Sequence, residues 1–161
     1  KKNIVITPKK IKIKKTIDHR GSFLKIISFE QKKEIFKDQI LEVNISINRR
    51  KGTIRGLHYQ SKFKEKKIVY CLKGKIIDYC INLKNNKKYK FILDEKDDNF
   101  LFVPKDYAHG FQTLKKNTIL IYLHSNIYSK KYEKSINPFS KKINIKWPIK
   151  KYIISKKDKN S

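Results

Sequence analysis

Short runs of β-branched and aromatic residues alternate along the chain with breaks of Asn, Gly, Pro and Lys, a pattern typical of β-strands. One segment, 30–39, instead predicts a short helix. The segments that predict strands are 4–13, 41–47, 66–72, 75–81, 89–93, 99–103 and 118–123. Many short strands at regular spacing predict a closed or two-sheet antiparallel β domain, a barrel or jelly roll, whose mouth is hollow enough for a small ligand.

The strongest local prediction is a β-hairpin. Segments 66–72 and 75–81 flank the dipeptide Lys73-Gly74, and such a two-residue loop favours a tight turn between paired strands. In the register that this turn implies, Cys71 and Cys80 are not cross-strand neighbours. We therefore expect two free, buried thiols and no disulfide.

Length and composition limit the organisation. A chain of 161 residues can bury one core but is short for two domains, so we expect a single domain over 1–161 with a frayed tail from about 156. No apolar run reaches the ~20 residues that a membrane span needs. With two cysteines and a lysine-rich start in place of a signal segment, the expected location is the cytoplasm.

The net charge is +27, from 41 Lys+Arg against 14 Asp+Glu. The lysines are spread from end to end, and Ile and Asn are also over-used, which is typical of A/T-rich codon usage. Nothing in the pattern supplies base readout, so no specific nucleic-acid partner is expected. A basic module that binds polyanions and a positive field that attracts a small anionic substrate both remain open.

The rare residue types cluster. Of the 13 arginines, histidines and glycines taken together, eight fall into three short strings, Asp-His-Arg-Gly at 18–21, Arg-Gly-Leu-His-Tyr-Gln at 55–60 and Ala-His-Gly-Phe at 108–111. A guanidinium matches the geometry of a phosphate, and glycine permits close approach of backbone to a ligand. These strings therefore predict a ligand site.

With these strings, the chain resembles the dTDP-4-dehydrorhamnose 3,5-epimerase family, metal-free cupin-like enzymes that act on nucleotide-linked 4-keto-6-deoxy sugars. The resemblance extends over most of the chain in the same order. Its further motifs are Pro-x-x-x-Ala-His-Gly-Phe at 104–111, Gly-Lys-Ile-Ile-Asp at 74–78 and Ile-Lys-Trp-Pro at 145–148. It implies an all-β, cupin-like antiparallel jelly roll or barrel with one or two short helices, a homodimer, no cofactor, and a role in making rhamnose or a related surface glycan.

The reaction sets its own requirements. The protons at C3 and C5 are both alpha to the C4 ketone, so one enolate-forming site serves both carbons with a base, an acid on the opposite face and a positive group at the ketone oxygen. His58 is suited to act as the base, and Lys67 as the positive group. Tyr122 is suited to act as the acid, the role that the resemblance also gives to this residue. The predicted hairpin would put Asp78 beside Lys67 and keep its ammonium charged.

The resemblance also implies a binding site. Arg20 and Arg55 would hold the diphosphate and Tyr128 would stack on the base. The sugar and nucleotide pocket would be lined by Asn44, Gln60, His109 and Glu133. The two remaining histidines, His19 and His124, fall outside the matching positions and are expected on the surface. Since only His58 and His109 could approach a metal together, no metal site is expected.

Three positions depart from the family pattern. Ser140 stands where an Asp that pairs with the catalytic histidine is expected, so either another acid takes that role or the base is weaker. Lys25 replaces a Glu, and Glu42 replaces a Gln. These changes leave open which sugar and nucleotide, dTDP or GDP, are bound, whether a heptose is used, and whether the enzyme is a single-centre 3- or 5-epimerase or a 3,4-ketoisomerase.

Overall fold

The computed structural model describes residues 6–36 and 39–161, so predicted strand residues 4–5 and helix residues 37–38 lie outside the described parts. Within them the structure has twelve strands and two short helices. In chain order these are β1 Lys9–Lys12, β2 Lys14–Asp18, β3 Gly21–Lys25, α1 Phe29–Ile35, β4 Glu42–Asn48, β5 Ile54–Gln60, β6 Lys67–Lys73, β7 Lys75–Asn82, β8 Lys88–Asp94, β9 Asn99–Val103, β10 Tyr107–Thr113, β11 Thr118–His124, β12 Glu133–Ser135 and α2 Lys156–Lys159.

Ten of the strands form two antiparallel five-stranded sheets. The first sheet has the order β1-β9-β6-β11-β4 and the second the order β12-β5-β10-β7-β8, while β2 and β3 form a separate hairpin. The predicted all-β, cupin-like antiparallel fold is confirmed. Most neighbours within each sheet are distant in sequence, as in a jelly roll.

The core has three layers because the central strands are covered on both faces. Val69 and Leu120 of the first sheet pack between the sheets with Phe111 of the second. Trp147 belongs to a cluster behind the second sheet, and Phe36, directly after α1, belongs to one behind the first. Burial on both faces explains why these strands are nearly continuous apolar runs instead of alternating patterns.

The predicted hairpin between segments 66–72 and 75–81 is wrong. β6 pairs with β9 and β11, whereas β7 pairs with β8 and β10, so the link at Gly74 crosses from one sheet to the other. Gly74 has φ of +87°, and a Cβ there would clash with the Thr118 hydroxyl. A short loop with glycine can therefore connect strands of two different sheets as well as paired strands of one hairpin. The local sequence does not indicate which strands pair.

Other local predictions are confirmed or corrected in detail. Cys71 and Cys80 are free and buried as expected, and burial raises the pKa of the Cys71 thiol to about 12. The helix predicted at 30–39 is observed as α1 and ends at Ile35. The expectation of a frayed tail is wrong, since residues 156–159 form α2 and the Asp158 side chain is buried. In the described residues, no helix is long and apolar enough to span a membrane.

Candidate active site

The two sheets enclose an open-mouthed cavity of about 660 Å³, a volume typical of small-molecule sites. Strands β4, β5, β6, β10 and β11 supply most of its wall, and the segment that leads into α2 closes one side. The predicted site residues that line it are Asn44, Arg55, His58, Gln60, Lys67, His109, Tyr122, Tyr128 and Glu133.

His58 pairs with a carboxylate from the other end of the chain. Its Nε2 lies 2.7 Å from Asp158 Oδ1, and the Gly56 N–H donates to Asp158 Oδ2 at 3.1 Å. Burial would raise the pKa of Asp158, but the hydrogen bonds from His58 and Gly56 outweigh it and lower that pKa. The residue therefore remains a carboxylate beside the imidazole.

The carboxylate that is absent at Ser140 is thus supplied by Asp158. A sequence signal was present, because Ser155-x-x-Asp158 is the spacing of a helix N-cap and its third residue. The structure shows that contact, with the Asp158 N–H donating to Ser155 Oγ at 3.1 Å. The α2 segment is held further by Lys157, which pairs with Glu133.

His109 forms a second histidine–carboxylate pair, with Asp78. Its Nδ1 lies 3.2 Å from Asp78 Oδ2, and both side chains are buried. Burial lowers the pKa of His109 more strongly than Asp78 raises it, so the imidazole is neutral near pH 7. The prediction that Asp78 lies beside Lys67 to stabilise its ammonium is therefore wrong: Asp78 holds His109, because β6 and β7 lie in different sheets.

Two glycines allow the histidine-bearing strands to approach closely. A Cβ at Gly110 would lie 2.6 Å from the Arg55 carbonyl oxygen, and one at Gly56 would lie 2.6 Å from the Gly110 Cα. The β5–β10 register shifts just here, and His58 and His109 are direct partners across the two strands. Both imidazoles consequently face the same cavity.

Lys67 is paired with Glu65 instead of Asp78. Its Nζ lies 3.1 Å from Glu65 Oε2, and His124 Nδ1 lies 2.8 Å from Glu65 Oε1. The expectation that His124 is a surface residue is wrong, since it lines the cavity and its side chain is 13% exposed. The period of two along β11 places it on the same face as Tyr122, a signal that could have identified it. His19 is exposed, as expected.

The Tyr122 ring lies between the imidazoles of His109 and His124. Its ring centroid is 6.4 Å from that of His109 and 6.0 Å from that of His124. Burial raises the pKa of Tyr122 far above its ordinary value. The phenol therefore holds its proton throughout the neutral range and can only act as a donor at the start of a reaction.

The predicted nucleotide-binding residues lie toward the mouth. The Arg55 Nε donates to Asn48 Oδ1 at 2.9 Å, and the Tyr128 hydroxyl donates to Glu133 Oε2 at 2.9 Å. Glu42, one of the three departures, accepts the Tyr128 N–H at 2.7 Å and so holds the segment that carries this half-exposed ring.

Two predicted site residues do not line the cavity. Arg20 lies at the β2–β3 turn, where its exposed guanidinium pairs with Asp18 at 2.6 Å. Asp78 lies behind the cavity wall, where it pairs with the lining residue His109. Across residues 6–36 and 39–161, no group of three or more His, Cys, Asp or Glu side chains is arranged to hold a metal ion.

Known proteins resemble this chain over nearly its whole length. The family model for dTDP-4-dehydrorhamnose 3,5-epimerase matches residues 5–161. The enzyme of that name from Shigella flexneri is 32% identical over 89% of this chain and 83% of its own length. The crystal structure of the Sulfolobus tokodaii enzyme is 36% identical, with a TM-score of 0.85 over 98% of this chain and 90% of that one. The Legionella pneumophila enzyme, in complex with dTDP-4-keto-L-rhamnose, is 28% identical, with a TM-score of 0.88 over 96% and 86%.

The Asp158–His58 pair predicts an acid-dependent stability. Since the native pKa of Asp158 is below the ordinary 3.8, the pair stabilises the fold above that pH and loses its effect as the pH falls through the lowered value. We expect Asp158→Asn to reduce the free energy of unfolding by about 1–3 kcal/mol near pH 7 in urea titrations. The difference from the parent should shrink in acid.

The matched control is Asp106→Asn, because Asp106 pairs with Lys84 only at 3.8 Å on the surface. Its expected loss is under about 0.5 kcal/mol. An Asp158→Asn protein as stable as the Asp106→Asn protein at neutral pH would contradict the pairing.

Proposed function

This chain belongs to the dTDP-4-dehydrorhamnose 3,5-epimerase family, and we propose that it epimerises C3 and C5 of a dTDP-linked 4-keto-6-deoxy sugar through an enolate, with His58, Lys67 and Tyr122 as its catalytic residues. The observation that carries the proposal is that one cavity brings together a carboxylate-bound imidazole, a charged amine and a protonated phenol. An enolate mechanism needs these three groups.

In this mechanism His58 removes the proton. Because Asp158 is anionic, the Nε2 that faces it carries the hydrogen, which leaves Nδ1 as the basic nitrogen. As the C3 or C5 proton transfers to Nδ1, the imidazole becomes positive. The neighbouring carboxylate stabilises that charge, as in other histidine–carboxylate pairs.

The electron pair released from the C–H bond moves toward the C4 ketone oxygen. The Lys67 ammonium stabilises the charge that develops there, and its effect is large because its side chain is only 13% exposed. His109 donates its Nδ1–H to Asp78, so its Nε2 is free to accept a hydrogen bond from a sugar hydroxyl. Binding in this orientation presents both alpha carbons to one base.

Tyr122 then returns a proton to the opposite face of the enolate carbon, which inverts the centre. Its raised pKa supports this role, because the phenol is fully protonated when the enolate forms. At the mouth, Arg55 binds the diphosphate and Tyr128 stacks on the base, with Asn44, Gln60 and Glu133 as further polar contacts. Binding energy at this distant end positions the reacting carbons.

The position of Arg20 supports a homodimer. The edge strand β4 carries three exposed apolar residues, Val43, Ile45 and Ile47, each 63–64% exposed, an unusual apolar stripe for a free edge. Asn44 alternates with these residues along β4, and the cavity wall includes Asn44 together with Ile45 and Ile47. A second copy seated on this strand would therefore lie next to the mouth and could place its own Arg20 on the diphosphate.

Isotope exchange tests the reaction. With a dTDP-linked 4-keto-6-deoxyglucose in heavy water, we expect deuterium at both C3 and C5 by NMR. His58→Ala should lower the exchange rate by about 10²–10⁴-fold, since it removes the base. Tyr122→Phe should retain proton abstraction but form much less inverted product. His19→Ala, which changes an exposed histidine, is the control and should match the parent.

Label at one carbon only would make this a single-centre epimerase. Exchange that survives His58→Ala at the parental rate would reject the assigned base, and no exchange with dTDP- or GDP-linked keto sugars would reject the enzymatic proposal.

Mixed dimers test whether Arg20 acts across subunits. Arg20→Ala and His58→Ala chains should each be nearly inactive, but a co-expressed mixture should contain dimers with one intact site. Random pairing of two chains into isologous dimers predicts about a quarter of the parental activity. A fully active Arg20→Ala enzyme, or a mixture no more active than its components, would contradict the arrangement.

A further inference from the structure

A third ionic cluster lies in the cavity wall, beside β6 and β11. The Glu65 carboxylate bridges two basic groups, with Oε2 at 3.1 Å from Lys67 Nζ and Oε1 at 2.8 Å from His124 Nδ1. The side chains are 6% exposed for Glu65 and 13% for each of the other two. None of the sequence motifs identifies Glu65, and the proposed chemistry above does not use it.

A nearly buried ammonium needs a partner of opposite charge, because desolvation otherwise favours its neutral form. In the described residues, Glu65 is the only carboxylate within 4.0 Å of Lys67 Nζ, and Asp78 is engaged with His109. Lysine also has a long flexible stem, so its charged end takes a defined position only when something holds it. The Glu65 oxygen accepts one N–H group of the Lys67 ammonium, which leaves the other N–H groups to face the cavity.

His124 holds the carboxylate from its other side. It is the direct cross-strand partner of Lys67, so the three side chains share one face of the sheet. The backbone around them is tied as well, with the Lys66 N–H donating to Ser125 Oγ at 2.8 Å and the Ser125 N–H donating to the Lys66 carbonyl at 3.1 Å. With each oxygen engaged by a different group, the carboxylate has one orientation.

We propose that Glu65 is the positioning residue for the ketone: it holds the Lys67 ammonium against the C4 oxygen of the substrate, and His124 orients Glu65 for that purpose. This inference rests on the proposed enolate chemistry. It assigns the carboxylate to a step in which charge develops on oxygen, so its loss should appear in kcat. Nucleotide binding at the mouth should be nearly unaffected.

The test is Glu65→Gln, which keeps the shape and removes the charge. We expect kcat to fall by about 10–100-fold, as for other groups that orient a ligand-binding residue, with KM within about threefold of the parent. Glu65→Asp should give an intermediate kcat, since it keeps the charge but retracts it. Glu34→Gln, which removes one negative charge from the exposed side of α1, is the matched control and should be unchanged.

A double-mutant comparison separates positioning from a purely structural role. If Glu65 acts through Lys67, adding Glu65→Gln to Lys67→Ala should change kcat by less than about twofold. Additive losses, or a Glu65→Gln enzyme with parental kcat, would overturn the inference. If circular dichroism shows that Glu65→Gln is unfolded, Glu65→Asp carries the test, and a parental kcat there would overturn it. A parent without isotope exchange would instead reject the proposed function.

Discussion

The hydrogen bond between His58 and Asp158 joins the fold to the chemistry. It links residues 100 positions apart, so it forms only when β5 has entered the second sheet and the end of the chain has folded back over the cavity. The same carboxylate accepts the Gly56 N–H, which ties the tail to the backbone of that strand. The closed side of the cavity and the pairing of His58 with a carboxylate therefore depend on the same residue, Asp158.

Pairing of imidazole or ammonium with carboxylate recurs around the cavity. Asp158 holds His58, Asp78 holds His109, and Glu65 holds Lys67 and His124, in a chain with only 14 acidic residues. Each pair lies in a different environment, and the environment decides which of its groups carries a proton. Burial lowers the pKa of the His109 imidazole, whereas hydrogen bonds lower the pKa of the Asp158 carboxyl. Such differences allow groups of one chemical type to take separate roles in one site.

The sequence predicted the positions of the strands better than it predicted which strands and side chains pair with one another. Strand positions and the residues of the motifs at 55–60 and 104–111 could be recognised because they depend on local pattern. The hairpin at Gly74 failed because a glycine corner between sheets and a tight turn have the same local signature. The spacing Ser155-x-x-Asp158 could have predicted a helix start, but Asp158 was missed as a site residue because its partner His58 lies 100 residues away, a pairing that no local pattern records. Arg20 belongs to the string at 18–21, but it lies on the separate β2–β3 hairpin and outside this cavity, a placement that no local pattern records.

The most direct test of the central claim is a crystal structure with a dTDP-linked 4-keto sugar bound. The account predicts the C4 oxygen within hydrogen-bonding distance of Lys67 Nζ, and the C3 and C5 hydrogens directed toward the His58 imidazole that Asp158 holds. A sugar ring bound elsewhere in the cavity, in contact with neither Lys67 nor His58, would contradict the account.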